Sequence, residues 1–214
     1  AAAGGMALVH AENDAGIAYL QRKLLAAGRS GPVAHPLSRP ACLEAEAVGR
    51  ALALARVAGC PLYVVHISTA AGADALARAR SEGQAACGET CAQYLLLDES
   101  RYHGPALEAA KYVCSPPLRP AGEAERLWRG LALGEIQTVG TDHCPFNLAG
   151  QKDSSPSDFT AIPSGLPGVE ARLSLLYTYA VGAGRLSLER WVEVCSSEPA
   201  RLFGLYPRKG ALAV

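Results

Sequence analysis

Apolar runs in this chain repeatedly stop on an ionisable residue. The run at 7–9 (ALV) ends on His10, the run at 61–65 (PLYVV) ends on His66, and the run at 136–140 (IQTVG) is followed by Thr141 and Asp142. Short, continuous apolar runs of this kind read as strands buried on both faces of a parallel sheet. In α/β barrels the reactive groups cluster at the C-terminal ends of such strands. Two histidines and an aspartate, each at the end of its own strand, are therefore the constellation that the chain is built to present.

The segments between these runs read as helices. Residues 6–12 form the first expected strand. Asn13 and Asp14 cap a helix over 14–27 whose apolar face carries Ile17, Leu20, Leu24 and Leu25. A polar loop over 29–39 holds His35, read as a surface residue. Pro40 opens a second helix to Ala58, with Leu43, Ala47, Leu54 and Val57 on its apolar side and Gly59 as its stop. A strand at 61–67, a turn from Ser68 and Thr69, and a helix over 71–82 follow. Then come a weaker strand at 84–90, an apolar stretch at 91–97, an irregular stretch at 98–119, a helix over 121–133 and a strand at 136–141. A long loop rich in Gly, Pro, Ser and Asp leads to helices at 168–182, 187–195 and 199–204. Strands alternating with helices predict an α/β fold with a parallel sheet. Four such βα units amount to half of an eight-stranded (β/α)8 barrel of the TIM type.

Composition closes off other classes. Basic and acidic residues balance at 20 each, and no basic stripe interleaved with aromatics is present, so nucleic acid is not an expected partner. No uncharged apolar run approaches the roughly 18 residues of a membrane span. Residues 1–6 are small and uncharged and lack the basic start of a secretion signal. A cytoplasmic location with free, mostly buried thiols is the expectation for the 7 cysteines. Cys87 and Cys91 lack a second pair at finger spacing, which argues against a structural zinc there. The chain enters a strand almost at once and stops at 212–214 on what reads as the start of another, so both ends are expected to continue in a longer protein.

Neutral imidazoles and a carboxylate suit a zinc-like divalent ion. A carboxylate at such an ion can carry a proton from attacking water to a leaving nitrogen. His143 reads as structural, because neighbours along a strand point opposite ways. His103 reads as a surface residue, Glu12 as a charge at a helix start, and Ser115, ahead of two prolines, as a turn former or a substrate contact.

At these residues the chain resembles the hydantoinase/dihydropyrimidinase family of cyclic amidohydrolases. The resemblance is carried, in family order, by 9–13 (VHAEN), 65–72 (VHISTAAG), 88–95 (GETCAQYL), 111–119 (KYVCSPPLR), 140–146 (GTDHCPF), 162–170 (IPSGLPGVE) and 198–205 (EPARLFGL). It implies that residues 1–214 are the last four βα units of the catalytic barrel plus C-terminal helices, without the N-terminal half-barrel and the small β-sandwich. It implies two zinc ions per complete site, and one or none here. His10 and His66 would ligate one ion. Asp142 would ligate the other and act as general acid and base. The main chain at Ser115 and at Ser164 would bind the substrate, a small cyclic ureide or imide, although the family commonly has Asn where Ser164 stands. The family's His-x-His pair, bridging lysine and oxyanion tyrosine have no counterpart in this sequence, so little or no hydrolysis is expected of the 214 residues alone. The complete enzyme is implied to be a homotetramer. An allantoinase- or dihydroorotase-like amidohydrolase and a non-catalytic scaffold related to dihydropyrimidinases are the alternatives.

Overall fold

The computed structural model describes residues 4–212, and the strand start expected at 212–214 falls largely outside them. Four strands, β1 (Ala7–Val9), β2 (Leu62–Val64), β3 (Ala86–Cys91) and β4 (Thr138–Gly140), form one sheet in sequential order. Every pairing is parallel, with Ala7 opposite Leu62, Leu62 opposite Ala86, and Glu89 opposite Thr138. The helices between the strands are α1 (Asp14–Ala26), α2 (Ala34–Ser38), α3 (Ala41–Ala58), α4 (Ala70–Ser81), α5 (Ala92–Leu96), α6 (Ala106–Ala110) and α7 (Ala121–Leu133). After β4 come α8 (Arg172–Leu176), α9 (Leu188–Val192) and α10 (Glu198–Leu202). The α/β fold and parallel sheet expected from the alternation are present.

Local chemistry sets most of these boundaries. Asn13 accepts the Gly16 amide at 3.0 Å and starts α1, and Thr69 accepts the Gly72 amide at 3.1 Å and starts α4. α3 stops where Gly59 adopts the left-handed φ of 59°. The strands are shorter than the sequence suggests. β2 ends ahead of His66, whose φ is 41°, and β4 ends ahead of Asp142, whose φ is 45°. The left-handed region stops pairing and turns the chain away from the sheet.

The buried faces differ from expectation on α3. Its apolar stripe runs through Ala47, Val48, Leu52 and Ala55, with Glu44 buried among them. Leu54 and Val57 are 65% and 89% exposed. In an alanine-rich helix two stripes compete, and the one that won includes a carboxylate that a hydrophobic pattern cannot show. On α1 only Ile17 is fully buried, and Leu25 is exposed. The cysteines divide likewise. All are free, but only Cys91, Cys114 and Cys195 are buried, while Cys42 and Cys144 are exposed.

Two irregular regions acquire definite shape. The 91–97 stretch completes β3 and becomes α5, and 98–119 contains a 3-10 turn at Glu99–Tyr102 and α6. Near the C-terminus, α9 and α10 join through a wider turn at Glu193–Ser197. Pro199 has no N–H to give the Cys195 carbonyl four residues earlier. Arg172 supplies that donor instead, at 3.4 Å.

The sheet's two faces are chemically distinct. Leu62, Val64, Gly88 and Val139 pack toward the helices, and a Cβ on Gly88 would lie 2.3 Å from Leu76. The other face carries Tyr63, Glu89 and Thr138. Tyr63 donates to Glu89 at 3.0 Å, and its hydroxyl lies 2.5 Å from that of Thr138. The Phe203 ring covers this polar face, with its centroid 5.3 Å from that of Tyr63.

Candidate functional site

The residues that end the strands come together at one rim of the sheet. β1 and β2 are adjacent, so His10 and His66 are neighbours, and His10 Nδ1 lies 2.9 Å from His66 Nε2 with the rings edge to face. His10 remains half-exposed, while His66 is buried. Burial, reinforced by the His10 charge beside it, holds the His66 imidazole below its usual pKa, and Asp142 pulls in the opposite direction. Asp142 is thus electrostatically within reach of the pair from the end of β4.

Among described non-glycine residues, only His66 and Asp142 have positive φ. Such a backbone costs roughly 1–2 kcal/mol for an L-residue and persists only where surrounding structure over-determines it. The determinants at His66 are visible. Ile67, the next residue, donates to the Glu89 carbonyl at 2.7 Å, which ties the turn to β3. Glu89 is pressed against Gly140 so closely that a Cβ there would fall 2.4 Å from its carboxyl carbon. Burial pushes the Glu89 carboxyl above its usual pKa.

A buried carboxylate anchors the turn after His66. Glu44 accepts the Ser68 and Thr69 amides at 3.1 and 3.0 Å and the Thr69 hydroxyl at 2.7 Å, and it also accepts from the Ser68 hydroxyl. Arg119 adds a guanidinium N–H at 3.1 Å to Glu44 and another at 2.9 Å to the Ser68 hydroxyl, and it donates a third to the Arg39 carbonyl. Arg39 in turn holds Glu12 at 2.5 Å, and Glu12 lies 3.1 Å from His10 Nε2. Burial alone would raise the Glu12 carboxyl, but its bond to His10 and the Arg39 charge outweigh that and hold it low. The reading of Glu12 as a helix-start charge is therefore corrected: its side chain is 2% exposed and is paired with His10 and Arg39.

Ser115 and Ser164 meet at a second part of the rim. The Gly165 amide donates to the Val113 carbonyl at 3.0 Å, and the Cys144 amide to the Leu166 carbonyl at 3.1 Å. These bonds join the segments of Ser115, Ser164 and Asp142. His143 pairs with Leu166 in an isolated bridge, and its Nδ1 accepts the Gly168 amide at 3.0 Å, the structural role expected of it. Ser115 has a buried hydroxyl with no hydrogen-bond partner, and Ser164 is exposed.

His35 corrects a second expectation. It is buried on α2, donates from Nε2 to the Cys114 carbonyl at 2.7 Å, and packs edge-on against Tyr102 and Phe159. Burial drives its pKa down to about 4, so it is neutral. It fixes the carbonyl next to Ser115 in chain order. Lys152, from the long loop, fixes the Val113 carbonyl at 2.9 Å, and burial lowers its own pKa to about 8. Tyr94 donates to the Pro116 carbonyl at 2.8 Å. None of these supports shows in local sequence, because each partner is far along the chain. His103 is exposed, as read.

The donor types suit a zinc-like cation: two imidazoles stand together at the ends of β1 and β2, and the Asp142 carboxylate follows β4, one strand further along the rim than β3. Among the described residues no three His, Cys, Asp or Glu side chains cluster tightly enough to hold one ion, and the histidine pair is the pre-formed element.

No protein-family model matches the chain. A D-hydantoinase of Streptomyces coelicolor is 50% identical over 210 residues, which cover 98% of this chain and 45% of that protein. The structure of a D-hydantoinase from a Bacillus species superimposes with a TM-score of 0.97 at 50% identity, over 99% of this chain and 46% of that one. A dihydropyrimidinase from Brevibacillus agri superimposes equally well, with a TM-score of 0.97 at 46% identity. Essentially every described element thus has its counterpart in these proteins, and the chain, spanning a little under half their length, belongs to the hydantoinase/dihydropyrimidinase family.

Proposed function

We propose that this chain is the C-terminal half of a (β/α)8 barrel that hydrolyses the cyclic amide bond of hydantoins or dihydropyrimidines. The sequential, all-parallel order of β1 to β4 supports the half-barrel reading. So does Leu8 on the edge strand β1, which is 55% exposed. The complementary half would supply the remaining four βα units, and the small β-sandwich would complete the protein. The complete enzyme is read as a cytoplasmic homotetramer acting on a small cyclic ureide or imide. No helix among the described residues is long and apolar enough to cross a membrane.

The observation that carries the catalytic reading is the facing pair His10 Nδ1 and His66 Nε2 at 2.9 Å, in a chain half-identical to D-hydantoinases. His10 and His66 would hold one zinc ion, and Asp142 would contribute to a second. When bound, the metal makes water nucleophilic near neutral pH and polarises the ring carbonyl. Water adds to the ring carbonyl, the ring C–N bond breaks, and the products are a carboxylate and a ureido N–H. Asp142 takes the proton from the attacking water and delivers it to the departing nitrogen. The main chain at Ser115 and Ser164 orients the ring, on a rim that His35, Tyr94 and Lys152 keep rigid.

The test is a chimera joining the N-terminal half of the Streptomyces coelicolor D-hydantoinase to this chain, assayed for zinc content and for hydrolysis of hydantoin and dihydrouracil. Turnover with about two zinc ions bound, lost in Asp142→Asn and absent from the 214-residue chain, is the expected result. A folded, zinc-loaded chimera inert on both substrates would refute the assignment.

A further inference from the structure

Resting on the reading of His10 and His66 as a cation-binding pair, we propose that Glu12 is the positioning residue that selects which nitrogen of His10 faces the ion. An uncharged imidazole carries one N–H and one lone pair, and only the lone pair can bind a metal. His10 Nε2 lies 3.1 Å from Glu12 Oε2, and a carboxylate accepts but does not donate. The proton of His10 is therefore held on Nε2, and the Nδ1 lone pair points at His66, 2.9 Å away. On His66, Nε2 is the ring nitrogen that faces His10. In the metal-free chain His10 Nδ1 then accepts from His66 Nε2–H, and a cation that replaced that proton would meet both nitrogens.

Glu12 can do this because it is itself held. Its carboxylate is 2% exposed and is clamped by Arg39 at 2.5 Å. The Arg39 carbonyl accepts from Arg119, whose guanidinium also reaches Glu44 at 3.1 Å and Ser68 at 2.9 Å, in the turn that follows His66. The supports of the two histidines are thus one connected network. A rotation of Glu12 would free the His10 ring to flip and would leave Arg39 without its carboxylate. Carboxylate partners of metal-binding histidines set tautomer and orientation in this way, and their loss typically costs about 10–100-fold in metal affinity.

The test uses the 214-residue chain with ¹⁵N-labelled histidine. Long-range ¹H–¹⁵N correlation spectra at pH 8 report directly which His10 nitrogen is protonated, without any metal. Cadmium titration followed by calorimetry then reports affinity. The wild type should show the Nε2–H form of His10. Glu12→Met, of similar length but without an acceptor, should give a mixture of tautomers and about 10–100-fold weaker cadmium binding. Glu12→Gln keeps the shape if the methionine variant fails to fold, and should shift both readouts in the same direction by less. Glu46→Gln, at an exposed carboxylate on α3, should change neither. A His10 ring protonated on Nδ1 in the wild type, or a tautomer unmoved by Glu12→Met or Glu12→Gln, would overturn the proposal. If the tautomer moves while cadmium binds neither protein, the positioning role stands and the cation-binding reading fails.

Discussion

Replacing Glu44 by alanine should destabilise this chain more than any other single change to its polar residues. In the folded state its carboxylate, 2% exposed, takes the Ser68 and Thr69 amides, both their hydroxyls and one N–H of Arg119. Thr69 Oγ1 can still serve the Gly72 amide after the loss, but the two backbone amides cannot find another acceptor. Arg119, 5% exposed, is left as a buried cation beside its remaining partners, the Ser68 hydroxyl and the Arg39 carbonyl. Removing one partner of a buried pair typically costs about 3–5 kcal/mol. With a urea slope of about 3 kcal/mol per molar, the midpoint falls by about 1–1.7 M. The double variant Glu44→Ala/Arg119→Met removes both charges, so its loss should be well below the sum of the single losses, with a coupling of about 1–3 kcal/mol. Urea unfolding followed by circular dichroism of the four proteins gives the cycle. A Glu44→Ala cost under about 1 kcal/mol, or strict additivity, would show that Glu44 is not the anchor of the turn after His66.

Lowering the pH should expose the buried His35. Its folded pKa is depressed from 6.5 to about 4, so its contribution is complete above 6.5 and is lost as pH falls toward 4. The maximum is on the order of 3 kcal/mol, and His35→Gln should flatten the fall in urea midpoint between pH 7 and pH 4.5. Gly140→Ala should cost about 1–3 kcal/mol, because its methyl would sit 2.4 Å from the Glu89 carboxyl; an unchanged melting temperature would contradict that packing. Asp142→Gly should raise stability by about 0.5–1 kcal/mol, since glycine adopts φ near 45° without strain, and should abolish hydrolysis in the complete barrel. A loss of stability there would mean that the Asp142 side chain supports the fold.

The fold class was legible because its signal is periodic and local. Apolar runs marked three of the four strands and a weaker small-residue stretch marked β3, and Asn13, Thr69 and Gly59 marked helix ends through bonds made within a few residues. What escaped was polar and non-local. Glu12 sits two residues beyond His10, a spacing open to inspection, but its burial depends on Arg39. Glu44 lies on a helix that hydrophobic patterning assigned to the wrong stripe, and it serves amides 24 and 25 residues away. His35 sat in a stretch rich in Gly, Pro and Ser that looked solvent-exposed, yet its acceptor is a carbonyl 79 residues on. Sequence patterns show which residues bury apolar area. They do not show which buried polar groups will find partners, because that depends on register between distant elements.

The charges around the rim argue for the same occupant as the histidines do. Arg39 is taken up by Glu12 and Arg119 by Glu44, so two cation–anion pairs cancel close to the strand ends. Asp142 and Glu89 are left facing the same region, and the Asp142 charge is felt at Glu89. Arg172 is the nearest remaining cation, and its N–H groups are spent on the Val139 and Cys195 carbonyls. The rim therefore carries unbalanced negative charge beside the two imidazoles. Burial raises the Glu89 carboxyl in the chain as it stands, and repulsion from Asp142 adds to that rise. A divalent cation at His10 and His66 would relieve that repulsion, so cation binding should release protons and strengthen as pH rises. Proton release measured in two buffers of different ionisation enthalpy during cadmium titration checks this. Binding with no proton release and no pH dependence would place the cation away from the rim.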